Sequence, residues 1–237
     1  MGRAYEVRKA AIQKNGAAKA KLYSNFAKEI YIAAKNGGTN LEANDKLKQL
    51  VDKAKKSQVP SDIINRAIDK VNSGADESYT YCRYEGFGPG ASNLIVDCLT
   101  DNVNRTVGNV RSYFTKCDGK LGVENSVSHF YENLSIFAFK GCNEEEVLDN
   151  LVLNDIDVKD IEQDNDLVIV TGDAKDYNSI RKALLTLGNI EFEVDEISMI
   201  PLDKITLEGE DLETFNKLIS KLEDDEDVQN IYHNVEL

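Results

Sequence analysis

The run Thr100-Asp101-Asn102-Val103-Asn104-Arg105-Thr106 gathers an aspartate, two asparagines and an arginine where the apolar spacing marks a helix start. Asp101 or Asn102 can cap that helix by accepting hydrogen bonds from its free amides. Capping needs only one of them. Two readings therefore stand: a cap among surface polar residues, or a polar contact site made by Asp101, Asn102, Asn104 and Arg105. Upstream, Tyr84-Glu85-Gly86-Phe87-Gly88-Pro89-Gly90-Ala91 contains G-x-G-x-x-A, the dinucleotide fingerprint. That fingerprint works only when a helix follows and aims its amides at a pyrophosphate. Here a β run, Asn93–Val96, follows, and Pro89 removes one of the amides. A rigid hairpin connection is the better use of these glycines.

Other chemistries lack their residues. His129 and His233 fall in predicted strands with no cysteine at ligand spacing, and a metal site needs clustered donors. Cys82, Cys98, Cys117 and Cys142 match neither a C-x-x-C pair nor a zinc module, so reduced thiols are expected. There is no G-x-S-x-G elbow, no H-E-x-x-H and no P-loop lysine. The acidic run Glu223-Asp224-Asp225-Glu226-Asp227 lacks the alternating ligands and turn glycine of a calcium loop and reads as a solvated loop. No catalytic residue, metal or cofactor is expected.

The chain carries a net charge of -14 over 237 residues, a balance that argues against a partner made of phosphates. The average hides a split. Residues 1–72 hold 15 basic and 7 acidic side chains, whereas 73–237 hold 13 and 35. A basic segment joined to an acidic body is the pattern of a localised polyanion contact. Arg3, Arg8, Lys9, Lys14 and Lys19 make the first twenty residues a basic arm, and Lys21 and Lys28 continue it onto a helix. Lys46, Lys48, Lys53, Lys55 and Lys56 enrich the next helix, with Tyr5, Tyr23 and Tyr31 interleaved as possible stacking partners. A solvated charged face is the plainer alternative.

These side chains need elements to position them. Leu22, Phe26, Ile30 and Ala33 recur at helical spacing until Gly37-Gly38. A second helix is predicted from near Leu41, burying Leu47, Leu50, Val51 and Ala54. A third starts at Pro60 and repeats Ile63, Ile64, Ala67, Ile68 and Val71. The period then switches to two. Strands are predicted at Tyr79–Tyr84, Asn93–Leu99 and Ser126–Tyr131, with a helix from Val103. From Leu134 the order is strand Leu134–Phe139, helix, strands Val158–Glu162 and Leu167–Thr171, helix, and a strand near Ile190–Val194. This βαββαβ sequence is the ferredoxin-like order. A further helix (Leu212 to Leu222) and the strand Val228–Tyr232 are inferred to return to the preceding sheet. The expected architecture is α+β and multidomain: arm 1–20, three-helix domain 21–75, a discontinuous α+β domain 76–131 plus 202–237, and an inserted ferredoxin-like domain 132–201.

Met1-Gly2-Arg3, the helix Glu29–Lys35, Val59-Pro60, the Arg83–Gly90 turn, Cys98–Thr106, Gly122 and Ser126–His129 together resemble the YebC family, in its Met-Gly-Arg branch. The similarity spans essentially the whole chain. The resemblance implies a three-domain cytoplasmic protein without catalysis. It also implies a DNA-binding transcriptional regulator or, alternatively, a translational activator working on ribosomal RNA at the ribosome. In that reading Tyr84, Glu85, Gly86, Gly88, Pro89 and Gly90, with Asp101, Asn102, Asn104 and Arg105, are the family's contact motif. An acidic chain without a signal segment or apolar span points to the cytoplasm, with no membrane and no small-molecule substrate.

Overall fold

The computed structural model describes residues 19–74, 77–188 and 190–236. They fall into two compact units, residues 19–129 with 203–236, and Phe130–Leu202.

The first unit begins with three helices, α1 (Lys19–Gly37), α2 (Asp45–Lys56) and α3 (Ser61–Asn72). Ile30, Ala33 and Ala34 of α1 pack on Leu47, Val51 and Ala54 of α2 and on Ile64 and Ala67 of α3. Helix α2 starts at Asp45, not near Leu41. Asn44 explains the shift: its side-chain oxygen accepts from the Leu47 amide at 3.0 Å, while its amide group donates to Ala33 and Gly38 carbonyls at 2.9 and 2.8 Å. One buried side chain thus caps α2 and closes α1. Gly38 turns the chain there with φ +88°, a conformation cheap only for glycine.

The same unit continues with β1 (Thr80–Phe87), β2 (Asn93–Thr100), α4 (Val103–Lys116) and β3 (Lys120–Leu121). After the other unit it resumes with α7 (Gly209–Asp224) and β8 (Val228–His233). Its sheet runs β3-β1-β2-β8, all neighbours antiparallel, so the C-terminal strand lies beside β2. Val110 and Phe114 of α4 and Phe215, Leu218 and Leu222 of α7 pack on Leu94, Val96 and Cys98. Fully burying each such large apolar side chain contributes about 1.5–3 kcal/mol.

The Phe130–Leu202 unit comprises β4 (Tyr131–Lys140), α5 (Glu144–Leu153), β5 (Asp160–Asp164), β6 (Leu167–Asp173), α6 (Tyr177–Leu185) and β7 (Glu191–Pro201). The sheet order β5-β6-β4-β7 is that of a ferredoxin-like fold. Val147 and Leu151 of α5 and Ile180 and Leu184 of α6 cover Phe137, Phe139, Val168 and Val170. Strand β7 runs well past the predicted Val194, and β5 starts two residues later than predicted.

Ser126–Tyr131 is not a strand, although Val127, His129 and Tyr131 alternate. The amides of Asn125, Val127 and Ser128 donate to the Glu85 carboxylate, which removes them from any ladder, and Ser128–Phe130 forms a single 3-10 turn. His129 therefore lies in that turn, while His233 does end a strand.

Candidate functional site

Helix α4 begins as its sequence suggests. The Asn102 side chain accepts from the Arg105 amide at 3.0 Å, and the Thr100 hydroxyl accepts from the Asn102 amide at 2.9 Å. The surrounding polar residues converge on Asp227. Its Oδ2 lies 3.0 Å from the Thr100 hydroxyl, 2.9 Å from that of Thr106 and 2.8 Å from Arg105 Nη2. Arg105 also reaches Asp101 at 2.8 Å. On the other oxygen stands Lys28 Nζ, at 3.4 Å. Burial opposes ionisation of Asp227, but the bonds from Arg105, Thr106 and Thr100 outweigh it and hold this carboxyl below its ordinary 3.8.

Asp225 is likewise tied to α4 by hydrogen bonds. It accepts from the Tyr113 hydroxyl at 2.9 Å, from the Asn109 side chain at 3.2 Å and from the Asp227 amide at 2.9 Å. Burial and this bond push the Tyr113 phenol up to about 12. The acidic run is thus not a solvated loop: Asp225 and Asp227 are buried, because α4 supplies donors that replace water. Lys28, Tyr79, Asp101, Arg105, Asp225 and Asp227 line a shallow cleft of about 400 Å³. Its two cations, Lys28 and Arg105, are already paired with Asp227 and Asp101. Asn104 is exposed on the first turn of α4.

Tyr84, Glu85, Gly86, Gly88 and Pro89 pack inward, while Phe87 and Gly90 are exposed. Tyr84 is half-buried against the apolar core. Glu85 is buried and accepts the amides of Val127 at 2.6 Å, Ser128 at 2.9 Å and Asn125 at 3.2 Å, plus the Ser128 hydroxyl. Burial raises its pKa, yet these bonds prevail and keep it below 4.5. A Cβ at Gly86 would stand 2.5 Å from Phe114 Cε1, and one at Gly88 2.6 Å from Ser92 Oγ. One at Gly90 would stand 2.5 Å from Leu207 Cδ2 and 2.9 Å from Asp211 Oδ2. Pro89 is buried. The glycines permit close packing of the hairpin on helix α4 and the start of α7.

Arg3, Arg8, Lys9 and Lys14 lie outside the described residues. Lys19 is exposed at the start of α1. Lys21 and Lys28 do not extend a free positive surface, because both ammonium groups turn to the chain's own acidic loop. Lys21 donates to the Glu223 and Leu222 carbonyls, and Lys28 to that of Glu226 at 2.9 Å. Burial lowers the Lys21 pKa despite Asp225, Glu223 and Asp224 nearby. Positive charge is left outward on α2, where Lys46, Lys55 and Lys56 are exposed while Leu47, Val51 and Ala54 point to the core. Sequence reasoning missed the partners Asp225 and Asp227, whose only signal was an acidic cluster immediately before a predicted strand.

Among the described residues no group of three His, Cys, Asp or Glu could hold a metal ion, and no helix is long and apolar enough to cross a membrane. The model of the TACO1/YebC protein N-terminal domain matches residues 3–74, and that of the TACO1/YebC second and third domain matches 79–235. A probable transcriptional regulatory protein of Pseudoalteromonas translucida (strain TAC 125) is 49% identical, with 100% of both chains covered. One from Vibrio parahaemolyticus is 45% identical, again over 100% of each. The crystal structure of the conserved hypothetical protein Aq1575 from Aquifex aeolicus superposes with a TM-score of 0.74 at 30% identity, covering 94% of this chain and 92% of that one.

Proposed function

Because this chain belongs to the TACO1/YebC family, we propose that it is a non-enzymatic, DNA-binding regulator of transcription that works in the cytoplasm. The observation that carries this reading is the outward set Lys46, Lys55 and Lys56 on α2. In a chain of net charge -14, a positive surface confined to one part suits a localised phosphate contact. The names of the full-length relatives support the regulatory role. The buried carboxylates Glu85, Asp225 and Asp227 accept hydrogen bonds from the fold itself, which supports a binding protein over an enzyme. Fluorescence anisotropy with a short DNA duplex tests the proposal. Affinity should fall steeply with salt, by about 0.9 log unit per log unit of salt for each phosphate neutralised. Lys46→Glu with Lys55→Glu and Lys56→Glu should weaken binding and flatten that slope. Salt-independent binding, or none, would sink the idea.

A second reading, a translation factor lying on ribosomal RNA, draws on the placing of those lysines. Lys46 and Lys55 are nine positions apart, which at about 100° per residue sets them on opposite flanks of α2. Such a distribution suits backbone contact with folded RNA better than base reading in a groove. Sucrose-gradient fractionation separates the two. Co-migration with ribosomes favours translation, and retention at the top of the gradient during active translation removes it.

A further inference from the structure

Both helices of the Phe130–Leu202 unit lie on one face of its sheet. The strand register fixes what the opposite face carries. Asp160, Thr171, Ile136 and Glu196 form one row across the strands, and Glu162, Ile169, Ala138 and Val194 form the next. Asp173, Leu134 and Ser198 make a third. The face is apolar along its middle and acidic at its sides. Leu134, Ile136, Ala138 and Ile169 are only 1%, 2%, 1% and 3% exposed. The partly buried hydrophobic side chains packed with them among the described residues, Val194 and Ile200, belong to the same sheet. The Thr171 hydroxyl is buried in the central row with no hydrogen-bond partner. An antiparallel sheet face turned to water would be wetter and more polar than this.

We propose that the N-terminal arm, residues 1–18, docks across this face. Tyr5, Val7 and Ile12 would lie on the apolar middle, and Arg3, Arg8 and Lys9 against the carboxylates at its sides. Composition matches on both counts. The arm mixes those apolar residues with four basic side chains and one acid, Glu6, whereas residues 130–202 hold 5 basic and 17 acidic side chains. Lys159 serves Glu132 and Asp173, and Asp160, Glu162 and Glu196 make up the rest of the rim. Length is sufficient. Eighteen extended residues reach about 60 Å, against a four-stranded face about 15–20 Å across. The consequence is regulatory: the acidic domain holds the arm's charge until a stronger polyanion competes for it. This placement does not rest on DNA being the partner, because it is read without nucleic acid.

Limited trypsin digestion of the full chain, with cleavage after Arg8 and Lys9 followed by mass spectrometry, tests it. At low salt the arm should be cut slowly, and high salt should release it. Asp160→Lys with Glu162→Lys and Glu196→Lys should speed cleavage at least about tenfold. Tyr5→Asp with Val7→Asp and Ile12→Asp alters no described residue, so it decides the matter even if the rim variant misfolds. It should accelerate cleavage similarly and raise the fluorescence of a hydrophobic dye as the face is uncovered. An arm variant cut at the wild-type rate, with unchanged dye signal, overturns the proposal and assigns the burial to another part of the chain.

Discussion

Lys28 Nζ stands 3.4 Å from Asp227 Oδ1, joining the first helix to the loop before the last strand across 199 positions of sequence. Arg105 holds the other oxygen at 2.8 Å. The contact ties the three-helix part to the α+β part of the same unit, and it neutralises lysine charge that the sequence pattern assigns to the basic nucleic-acid-binding stretch.

Asp227→Asn tests how much that junction contributes. The buried carboxylate serves Thr100, Thr106, Arg105 and Lys28, and an amide offers one acceptor and no charge. Leaving charged and hydroxyl donors under-served should cost about 2–4 kcal/mol. Urea unfolding would read this as a lower midpoint at similar slope. Asp224→Asn, at an exposed position of the same run, should stay within about 0.5 kcal/mol. Equal effects of the two substitutions would remove the special role of Asp227.

Below about pH 4.5, acid should act through two carboxyls. Glu85 and Asp227 are both held below their ordinary values of 4.5 and 3.8. Their contribution is complete above those values. As pH falls below them, the unfolded chain takes up protons that the folded chain refuses, so stability declines until the folded groups protonate. Glu85→Gln should lower stability at neutral pH and flatten its fall below about pH 4.5. Denaturant midpoints measured across that range check the sign. A parallel, unflattened curve would show that Glu85 does not titrate with unfolding.

The elements were largely legible, because periodicity reports the core directly. Ile63, Ile64, Ala67 and Ile68 mark α3, and the βαββαβ order from Leu134 matches the observed sheet. The start of α2 was less so, because Asn44 decides it through bonds made in three dimensions. The alternation at Val127, His129 and Tyr131 misled because Glu85, some 40 positions earlier, takes the amides a strand would need. The site was half legible. Asn102 as a cap follows from residue type, but Asp227 as the partner of Thr100, Thr106 and Arg105 follows only from topology that sets β8 beside β2.

A second pH window belongs to His233. Burial pulls its imidazole below 6.5, and its ring stands edge-on to Phe215 at 5.2 Å between centroids. It stays neutral when folded, while the unfolded chain protonates near 6.5. Stability should therefore start to fall below about pH 6.5, before the carboxylates titrate. His233→Gln should remove that early limb and leave the acid limb in place. A wild-type curve flat from pH 7 to 5 would refute this placement.

The turn at Gly90 separates packing from recognition. Its φ of +59° already favours glycine, and a Cβ there would meet Leu207 Cδ2 at 2.5 Å and Asp211 Oδ2 at 2.9 Å. Gly90→Ala should thus destabilise by about 1–3 kcal/mol, from backbone strain and overpacking together. Lys55→Glu with Lys56→Glu changes only exposed side chains and should leave stability within about 0.5 kcal/mol. Binding to a DNA duplex, measured well below either unfolding midpoint, should show the reverse ranking. The lysine variant should lose affinity, and the Gly90 variant should keep it, since a Cβ there points at Leu207 and Asp211. If Gly90→Ala abolishes binding while remaining folded, the turn is a contact after all, and the family motif is a recognition element.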